Sequence, residues 1–577
     1  MVLLNLMQLQ PLKRLLKMHN KLKQSALFSN AKSTISIPRS GHDLSFGHHT
    51  SMNAGKLYPI FCKEVLAGDT FSVNTSFVNR FASPLQTPTM DTAFFDIWFF
   101  NVPQRLVWEH TKEFYGENNE SAWTPDREYF IPQLNLGLSG FQPDGVGDRM
   151  GIPTLAPNLP VNALPLRAYR LIWNEWFRDQ NTQDPMLINF GDVESDATLD
   201  EVLPVNKRRD YFTTALPEPQ RGPAVLLPLG DFAPVMSYAD VDNYAGKGVQ
   251  VSNTGVKAMN YALDPVKDYL IGLDGTTSGY VHNPNYLMSA EVEGGTIPSG
   301  YVGSHHVWFT NLGADLSQAT SATINQLRQA FAVQALFERD ARGGARYREY
   351  LKAAFGVNVP DLTVQVPEFL GGASTPLNVN QVLQQSATGS GETPQGTVTG
   401  FGKNSERHTA AFTKSFTEPG YVIGVAAIRT VQTYQQGLHR MWSRRSRLDF
   451  YDPILDRIGE TPILNKEIYV YDEDERDKAF GYQEAFAEYR YSTNYVSGAF
   501  RSNYPGGSLD FWTYTNKFDS LPYLSDGFIR ETSENIARTV AVQDDDAPQF
   551  LVDFWFDLQA FRPMSANSVP AILGGRQ

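Results

Sequence analysis

The stretch FLVDFWFDLQ, residues 550–559, carries the clearest structural signal in the chain. Apolar side chains recur at every second position, and a β-strand directs successive side chains to opposite faces of its sheet. The stretch therefore predicts a strand with a buried face and a second, more polar face. The buried face comprises Phe550, Val552, Phe554, Phe556 and Leu558, and the other comprises Leu551, Asp553, Trp555, Asp557 and Gln559.

Strand patterns also occur near the other end of the chain. Residues 57–81 form short apolar runs around the turn signal Ala67-Gly68-Asp69, and residues 94–100 contain Asp96 as their only polar side chain. The second pattern is typical of a strand that is covered on both faces. Strands at both ends allow the first and last strands to lie in one sheet system, as Greek-key sandwiches and jelly rolls require.

Helices are predicted between the strands, at residues 104–115, 164–179 and 321–342. Gly343-Gly344 ends the last of these, and a shorter helix then ends at Gly356. Helices that do not alternate regularly with strands disfavour a doubly wound α/β fold, so the expected class is mainly β. Two segments, residues 231–312 and 371–404, read as long loops.

The composition suits a protein that makes many contacts. Of the 577 residues, 42% are hydrophobic and 19% are charged, against about 25% charged in an ordinary soluble protein. Phe, Tyr and Trp number 36, 26 and 9, and large aromatic side chains dominate the energetics of cores and interfaces. The single cysteine, Cys62, excludes an internal disulfide and favours assembly in a reducing cytoplasm. No apolar run is long enough to predict a membrane span.

Charge is unevenly distributed along the chain. The net charge is −13, which argues against a whole surface built for nucleic acid. Before Asp43, however, there is no acidic residue, so the sequence predicts a basic arm on an acidic body. Met18 is an alternative start that would remove part of this arm. The basic residues before Asp43 are Lys13, Arg14, Lys17, Lys21, Lys23, Lys32 and Arg39.

Motifs of common enzymes are absent from the sequence. It contains no HExxH, GxSxG or GxxxxGK[ST] pattern, and no residue is predicted to be catalytic, to bind a cofactor or to bind a metal. The pairs His48-His49 and His305-His306 are interpreted as polar loop histidines. The acidic runs 472–475 and 544–546 lack the residue order of a calcium loop and are interpreted as solvated turns.

An arginine-rich run surrounds Trp442. Arginines and an aromatic ring suit phosphate binding and base stacking, so this run and the arm supply candidate contacts to single-stranded DNA on an inner surface. The candidates are Lys13, Arg14, Lys17, Lys21, Lys23, Arg440, Arg444, Arg445 and Arg447. The alternative is that these arginines form salt bridges within or between subunits, and that alternative is favoured.

Several long blocks resemble the major capsid protein of microviruses (Microviridae), especially the gokushovirus branch. They follow the family order and together span about residues 37–562. The blocks are residues 37–71 (IPRSGHDLSFGHHTSMNAGKLYPIFCKEVLAGDTF), 88–117 (PTMDTAFFDIWFFNVPQRLVWEHTKEFYGE), 164–181 (LPLRAYRLIWNEWFRDQN), 323–357 (TINQLRQAFAVQALFERDARGGARYREYLKAAFGV), 367–372 (PEFLGG), 393–402 (TPQGTVTGFG) and 420–455 (GYVIGVAAIRTVQTYQQGLHRMWSRRSRLDFYDPIL).

The resemblance implies an eight-stranded antiparallel jelly roll with long inserted loops and a few helices. It also implies that sixty copies build a small icosahedral T=1 capsid around a circular single-stranded DNA phage genome. The expected divisions are a basic N-terminal arm at residues 1–36, the first part of the body at 37–230, a Gly-rich insertion at 231–312 and the remainder of the body at 313–577. In the gokushovirus branch such an insertion forms the threefold protrusions.

The resemblance further implies partners. Besides other copies of the chain and the DNA, they are a small basic DNA-binding phage protein, a minor or pilot capsid protein, and a receptor on the host bacterial surface. The expected location is the virion, assembled in the host cytoplasm without membrane insertion. A carbohydrate-binding jelly-roll protein or glycosidase is the alternative, and a nucleic-acid-binding module is disfavoured by the acidic pI near 5.3.

Overall fold

The computed structural model describes residues 39–117, 128–225, 324–385, 395–541 and 547–567, and the backbone of five short strands between residues 226 and 323. The chain divides into two compact units. The first contains Met1–Pro219 with Ala341–Gln577, and the second contains Gln220–Asp340. The predicted arm, residues 1–36, and most of the predicted insertion, residues 231–312, lie outside the described residues.

Ten strands of the first unit form two antiparallel sheets. In chain order they are β1 (Ser40–Asp43), β2 (Phe46–Met52), β3 (Tyr58–Val65), β4 (Thr70–Phe81), β5 (Ala93–Pro103), β6 (Glu368–Pro376), β7 (Val379–Leu383), β8 (Val398–Ser415), β9 (Gly420–Thr430) and β10 (Phe550–Arg562).

The larger sheet has six strands, and the last strand of the chain lies inside it. β1 and β2 both pair with one side of β10, and β4 pairs with its other side. β8 then pairs with β4, and β7 pairs with β8 at the edge. Segments that are about 500 residues apart in sequence are therefore neighbours in one sheet, as the strand signals at both ends predicted.

The smaller sheet has the order β6-β5-β9-β3. Every residue of β9 except Arg429 is buried. Its partner β5 is covered on the outer side by the rings of Trp176 and Phe177, which lie 5.3 Å from the ring of Phe100 and 5.0 Å from that of Trp98. The predicted strand with two covered faces is therefore confirmed, because both faces of β5 contact other parts of the chain.

Aromatic rings fill the space between the two sheets. The rings of Phe554 and Phe556 are 5.6 Å apart and nearly parallel, and Phe556 is 5.2 Å from Phe61 of the smaller sheet. Phe77 and Phe95 make a second contact across the sandwich at 4.7 Å. All five residues of the predicted inner face of β10 are at most 3% exposed, whereas Trp555 on the other face is 54% exposed. The period-2 prediction is thus confirmed residue by residue.

The strand order confirms the mainly β, antiparallel class. β2 and β4 lie in the larger sheet, whereas β3 and β5 lie in the smaller one, so consecutive strands alternate between the sheets. β8, β9 and β10 alternate in the same way near the C-terminus. This is the connectivity expected of a jelly roll. The count of eight strands stays a prediction, since β1 and β7 bring the two sheets to ten strands.

Two of the predicted helical regions are confirmed. One helix spans Leu164–Ile172 and continues as a π-helical turn, Trp173–Phe177. Another spans Ile324–Gly343, and the following helix, Tyr347–Phe355, ends at Gly356 with a left-handed φ of 69°. Short helices occur at Val146–Arg149, Asp526–Ile529 and Glu534–Ala537.

The helix predicted over residues 104–115 is wrong. The chain forms a 3-10 turn at Gln104–Leu106 and a separate short helix at Thr111–Phe114. Between them, the backbone N–H of Glu109 donates to the carbonyl of Phe190 at 3.0 Å, and the buried Trp108 donates its indole N–H to Asp192 at 2.8 Å. These tertiary bonds replace the bonds of a continuous helix.

The long loop predicted at residues 371–404 is also wrong, because that region contains β7, part of β6 and the start of β8. Two of its glycines are packing residues: a Cβ on Gly372 would lie 2.6 Å from the carbonyl oxygen of Ile97, and one on Gly402 would lie 2.4 Å from the ring of Phe81. Low charge here therefore marks close strand packing.

Smaller elements complete the described parts. Strand pairs join Gln133–Leu134 to Val161–Asn162, Thr433–Tyr434 to Asn494–Tyr495 and Glu460–Leu464 to Ala479–Glu484. In the second unit, Val249–Asn253 pairs with Val256–Tyr261 and Trp308–Phe309, and Val235–Ser237 pairs with Leu312–Ala314. Other 3-10 turns are Gly137–Ser139, Ala197–Asp200, Asp361–Val364, Arg440–Ser443, Arg447–Asp449, Leu455–Arg457, Asn465–Glu467, Ala487–Tyr489, Gly498–Phe500 and Asp510–Trp512. Among the described helices, none combines the length and apolar character needed to span a membrane.

Replacing Phe556 with alanine tests the aromatic packing between the sheets. Phe556→Ala should lower the free energy of unfolding by about 3–5 kcal/mol, because it leaves a cavity in a fully buried cluster. Trp555→Ala, on the exposed face of the same strand, is the matched control and should cost much less. Denaturant unfolding of the purified chains measures both changes. Equal losses for the two variants would contradict this account of the core.

Candidate interaction surface

A second, smaller hydrophobic core lies in the long connection between β9 and β10. It includes Tyr434, Ile463 and Phe480 from this connection, together with Tyr211 and Phe212 from earlier in the chain. The core is rich in edge-to-face aromatic contacts, such as the 4.9 Å contact between Phe212 and Tyr434. The same connection contains the arginine-rich run predicted from the sequence, residues 440–447. We define the arginine segment as this run together with the residues that follow it, 440–458.

Two of the predicted arginines are held in ion pairs inside the chain. Arg440 donates to the carbonyl of Pro462 at 3.1 Å and lies 3.7 Å from the carboxylate of Glu467. Arg444 pairs with Glu488 at 2.8 Å, and its guanidinium lies 4.4 Å from the centre of the Tyr489 ring. Burial raises the pKa of Glu467 although Arg440 opposes that shift. Arg440 and Arg444 therefore form salt bridges within the chain, which is the alternative that the sequence analysis favoured.

The other two arginines point to solvent. Arg445 and Arg447 are exposed, and neither guanidinium has a hydrogen bond or ion pair within the described residues. The local turn is held by Asp449, which accepts the backbone N–H groups of Arg445 and Ser446 at 2.7 Å each. Those two bonds come first among the causes that lower the pKa of Asp449. A DNA contact by Arg445 and Arg447 stays a prediction.

The basic residues of the arm cannot be placed in the same way. Lys13, Arg14, Lys17, Lys21 and Lys23 all lie outside the described residues. Their proposed role rests on the sequence alone.

The arginine segment also exposes large apolar side chains, which the sequence analysis did not single out. Their exposed fractions run from 46% for Tyr451 to 85% for Ile454. Phe450, Ile454 and Ile458 recur every fourth residue, as on one face of a helix, but the chain forms only short 3-10 turns at 447–449 and 455–457. The spacing therefore did not indicate that these side chains are exposed. The full set is Met441, Trp442, Leu448, Phe450, Tyr451, Ile454 and Ile458.

A separate cleft of about 690 Å³ lies on the outer side of the larger sheet. His49 and Asp553 pair across it at 2.9 Å, and Arg149 is held by Asp144, Thr50 and the carbonyl of Ser51. The charged groups around it are thus largely paired with one another. His48 and His49 belong to β2, which corrects their predicted position in a loop. His305 and His306 lie outside the described residues.

The acidic run at residues 472–475 forms a turn. Asp472 accepts the backbone N–H of Glu475 at 3.2 Å, and Glu475 pairs with Lys478 at 2.5 Å. Glu473 and Asp474 are exposed, as predicted for a solvated turn. In the parts of the chain that the structure describes, no three His, Cys, Asp or Glu side chains converge as a metal site would require. Residues 544–546 lie outside those parts.

Comparison with known proteins decides the family. The family model for the phage capsid protein called F protein matches residues 29–572, which is nearly the whole chain. The chain belongs to this capsid protein family. It is therefore a structural protein of a virion and not an enzyme, and the resemblance to microvirus capsid proteins is confirmed.

Individual capsid proteins agree with the family assignment. The chain is 40% identical to capsid protein VP1 of Bdellovibrio phage phiMH2K, across 94% of this chain and 97% of that protein. It is 37% identical to capsid protein VP1 of Chlamydia phage 1 and 34% identical to capsid protein VP1 of Spiroplasma virus 4, in each case across 93% of this chain and 96% of the relative.

A buried carboxyl group anchors the connection that carries the arginine segment of this capsid protein. Glu531 accepts the hydroxyl of Thr430, at the end of β9, at 2.7 Å and the side-chain amide of Gln432 at 3.0 Å. Burial raises the pKa of Glu531 to about 7, although the Thr430 bond and nearby Lys207 oppose the shift. Burial likewise lowers the pKa of Lys207. The group thus holds a proton at mildly acidic pH.

Glu531→Gln tests this anchor through pH. A carboxyl group whose pKa is raised on folding binds more protons when folded, so its contribution to stability is complete below the unfolded pKa of 4.5 and is lost as the pH rises toward about 7. We expect wild-type stability to fall relative to Glu531→Gln across that window. Unfolding midpoints measured from pH 4 to 8 check this.

Glu473→Gln, at an exposed carboxylate, controls for the loss of one negative charge. A wild-type curve parallel to that of Glu531→Gln throughout the window would show that Glu531 does not titrate there.

Proposed function

We propose that sixty copies of this chain assemble into a small icosahedral T=1 capsid that encloses a circular single-stranded DNA genome. The supporting observation is a capsid-family match over residues 29–572 on an antiparallel sandwich that carries a second hydrophobic core outside its sheets. Closed symmetry suits such a subunit, since the same surface patches are reused at every copy. Assembly in the host cytoplasm is consistent with Cys62 as the single cysteine.

Particle mass tests the assembly proposal. Sixty copies of a 64.5 kDa chain amount to about 3.9 MDa. We expect the chain, expressed together with the other proteins of its phage, to elute at megadalton mass and to appear as closed particles by electron microscopy. The alternative, a carbohydrate-binding protein or glycosidase, predicts a small soluble species. A lone monomer under these conditions, or sugar hydrolysis by the purified chain, would refute the capsid assembly.

The enclosed genome requires positive charge on the inner side of the shell. Each copy carries a net charge of −13, and DNA is itself a polyanion. We therefore propose that the basic arm, residues 1–36, lies against the DNA through Lys13, Arg14, Lys17, Lys21 and Lys23. A small basic DNA-binding phage protein would supply further cations. A minor or pilot protein and a receptor on the host surface complete the proposed partners, and the Gly-rich residues 231–312 are the proposed threefold protrusion.

Deleting residues 1–35 tests the role of the arm. Phosphate contacts by lysine and arginine release counterions, so particles that lack the arm should contain less DNA and should lose it at lower salt. The ratio of absorbance at 260 and 280 nm, measured on purified particles across a salt series, gives the DNA content. A matched variant in which all six cations of residues 1–35 are replaced by glutamine separates charge from length; they are Lys13, Arg14, Lys17, Lys21, Lys23 and Lys32. Unchanged DNA content and unchanged particle stability in both variants would refute the role.

A further inference from the structure

The arginine segment, residues 440–458, differs from ordinary protein surface in the amount of apolar area that it exposes. Seven large apolar or aromatic side chains are between 46% and 85% exposed within 18 residues. Single exposed apolar residues are normal, but contiguous groups mark surfaces that bind something. Three more tyrosines from the same long connection, Tyr489, Tyr491 and Tyr495, are 52%, 52% and 79% exposed.

Ion pairs hold the segment in position. Arg440 and Arg444 near its start are paired with Glu467 and Glu488, whose side chains are 4% and 5% exposed. Asp456 near its end pairs with Arg490 at 2.8 Å. A surface that is already fixed loses little conformational entropy when it binds, and preorganisation of this kind favours association. The exposed side chains therefore stand on a rigid support.

The composition of the segment matches the centre of a protein–protein interface. It contains five arginines and no lysine, together with Trp, Tyr, Phe and Met. Interfaces are enriched in these types and depleted in lysine, and Trp, Tyr and Arg dominate the residues that carry most binding energy. Nucleic acid would use Trp442, Arg445 and Arg447, but it has no comparable use for Leu448, Ile454 and Ile458, whose aliphatic side chains cannot stack.

Charge identifies a partner. The five arginines and three aspartates give the segment a net charge of +2 on a chain of −13. Copies of an acidic protein repel one another unless basic surface meets acidic surface. Among the described residues Arg445 and Arg447 form no ion pair within 4 Å, although the charge of Arg445 acts weakly on Asp477 of the same chain, after that of Lys466. Exposed carboxylates such as Glu473 and Asp474 offer a complement on another copy. Two copies of the segment facing each other would bring like charges together, so an unlike pairing is favoured.

We propose that the arginine segment docks onto a different, acidic surface of a neighbouring copy of this chain. Leu448, Phe450 and Ile454 are buried in that contact, and Arg445 and Arg447 pair with carboxylates of the neighbour. This contact is heterologous, so repetition of it around a symmetry axis closes a ring. The inference rests on the proposed assembly and adds the surface that drives it.

The test compares charged and conservative substitutions in the segment. Leu448→Asp/Ile454→Asp should raise the chain concentration needed for half-assembly at least about 10-fold, the effect of losing one strong interface residue. Leu448→Met/Ile454→Val keeps the apolar character and should assemble as the wild type does. Light scattering and electron microscopy measure particles, and circular dichroism with unfolding midpoints verifies that each chain is folded. If the double Asp variant does not fold, Ile454→Ser replaces it with the same expectation.

The outcomes separate this inference from the proposed function. A wild-type chain that forms no particles when it is expressed together with the other proteins of its phage refutes the assembly itself. Wild-type particles together with normal assembly of the folded Asp or Ser variant refute the docking surface and leave the capsid function standing. The variant Arg445→Gln/Arg447→Gln tests whether the segment binds DNA instead of a neighbouring copy. Weaker assembly of this variant supports docking. Normal particles with reduced DNA content assign the segment to the genome and overturn the proposal.

Discussion

The contact between aromatic rings of the two sheets is the interaction on which the rest of the fold depends. Phe554 and Phe556 of β10 pack against Phe61 and Phe95 of the smaller sheet, and all four rings are at most 2% exposed. Apolar burial of this size is the main favourable contribution to folding. Because the chain has one cysteine, no disulfide supplements that packing. The strands meet at this core, and the long connections start from strands that it fixes.

Buried ion pairs position chain segments both on the smaller sheet and outside it. Arg167 and Glu194 form an almost fully buried pair at 2.8 Å, and Asp96 binds both Arg429 and Arg208. Such pairs contribute little net stability, but removing one partner leaves an uncompensated buried charge. They therefore fix the position of a connection more than they strengthen it. The ion pair between Arg444 and Glu488 fixes the arginine segment in the same way, so its apolar side chains are held at the surface.

Sequence patterns predicted the parts of the fold in which one face is buried and the other is not. β10 was readable because Phe554 and Trp555 have opposite environments. β9 was not, since nearly all of its residues are buried and its sequence shows no alternation. The helix over residues 104–115 failed because the bond from Glu109 to Phe190 joins segments that are far apart in sequence. The candidate site was predicted only in part. The sequence indicated the arginines, but it did not indicate that Glu467 and Glu488 are their ion-pair partners. No local pattern revealed the exposure of Leu448 and Ile454.

The position of β10 has a consequence for biosynthesis. β1, β2 and β4 are made early, yet the strand that joins them comes from residues 550–562. Until the ribosome has released those residues, the edge of β4 that β10 will occupy has no partner, and unpaired edges invite wrong association. A chain that stops early cannot complete the larger sheet. Only full-length polypeptides then present finished surfaces, so translation itself acts as quality control over which molecules enter a shell.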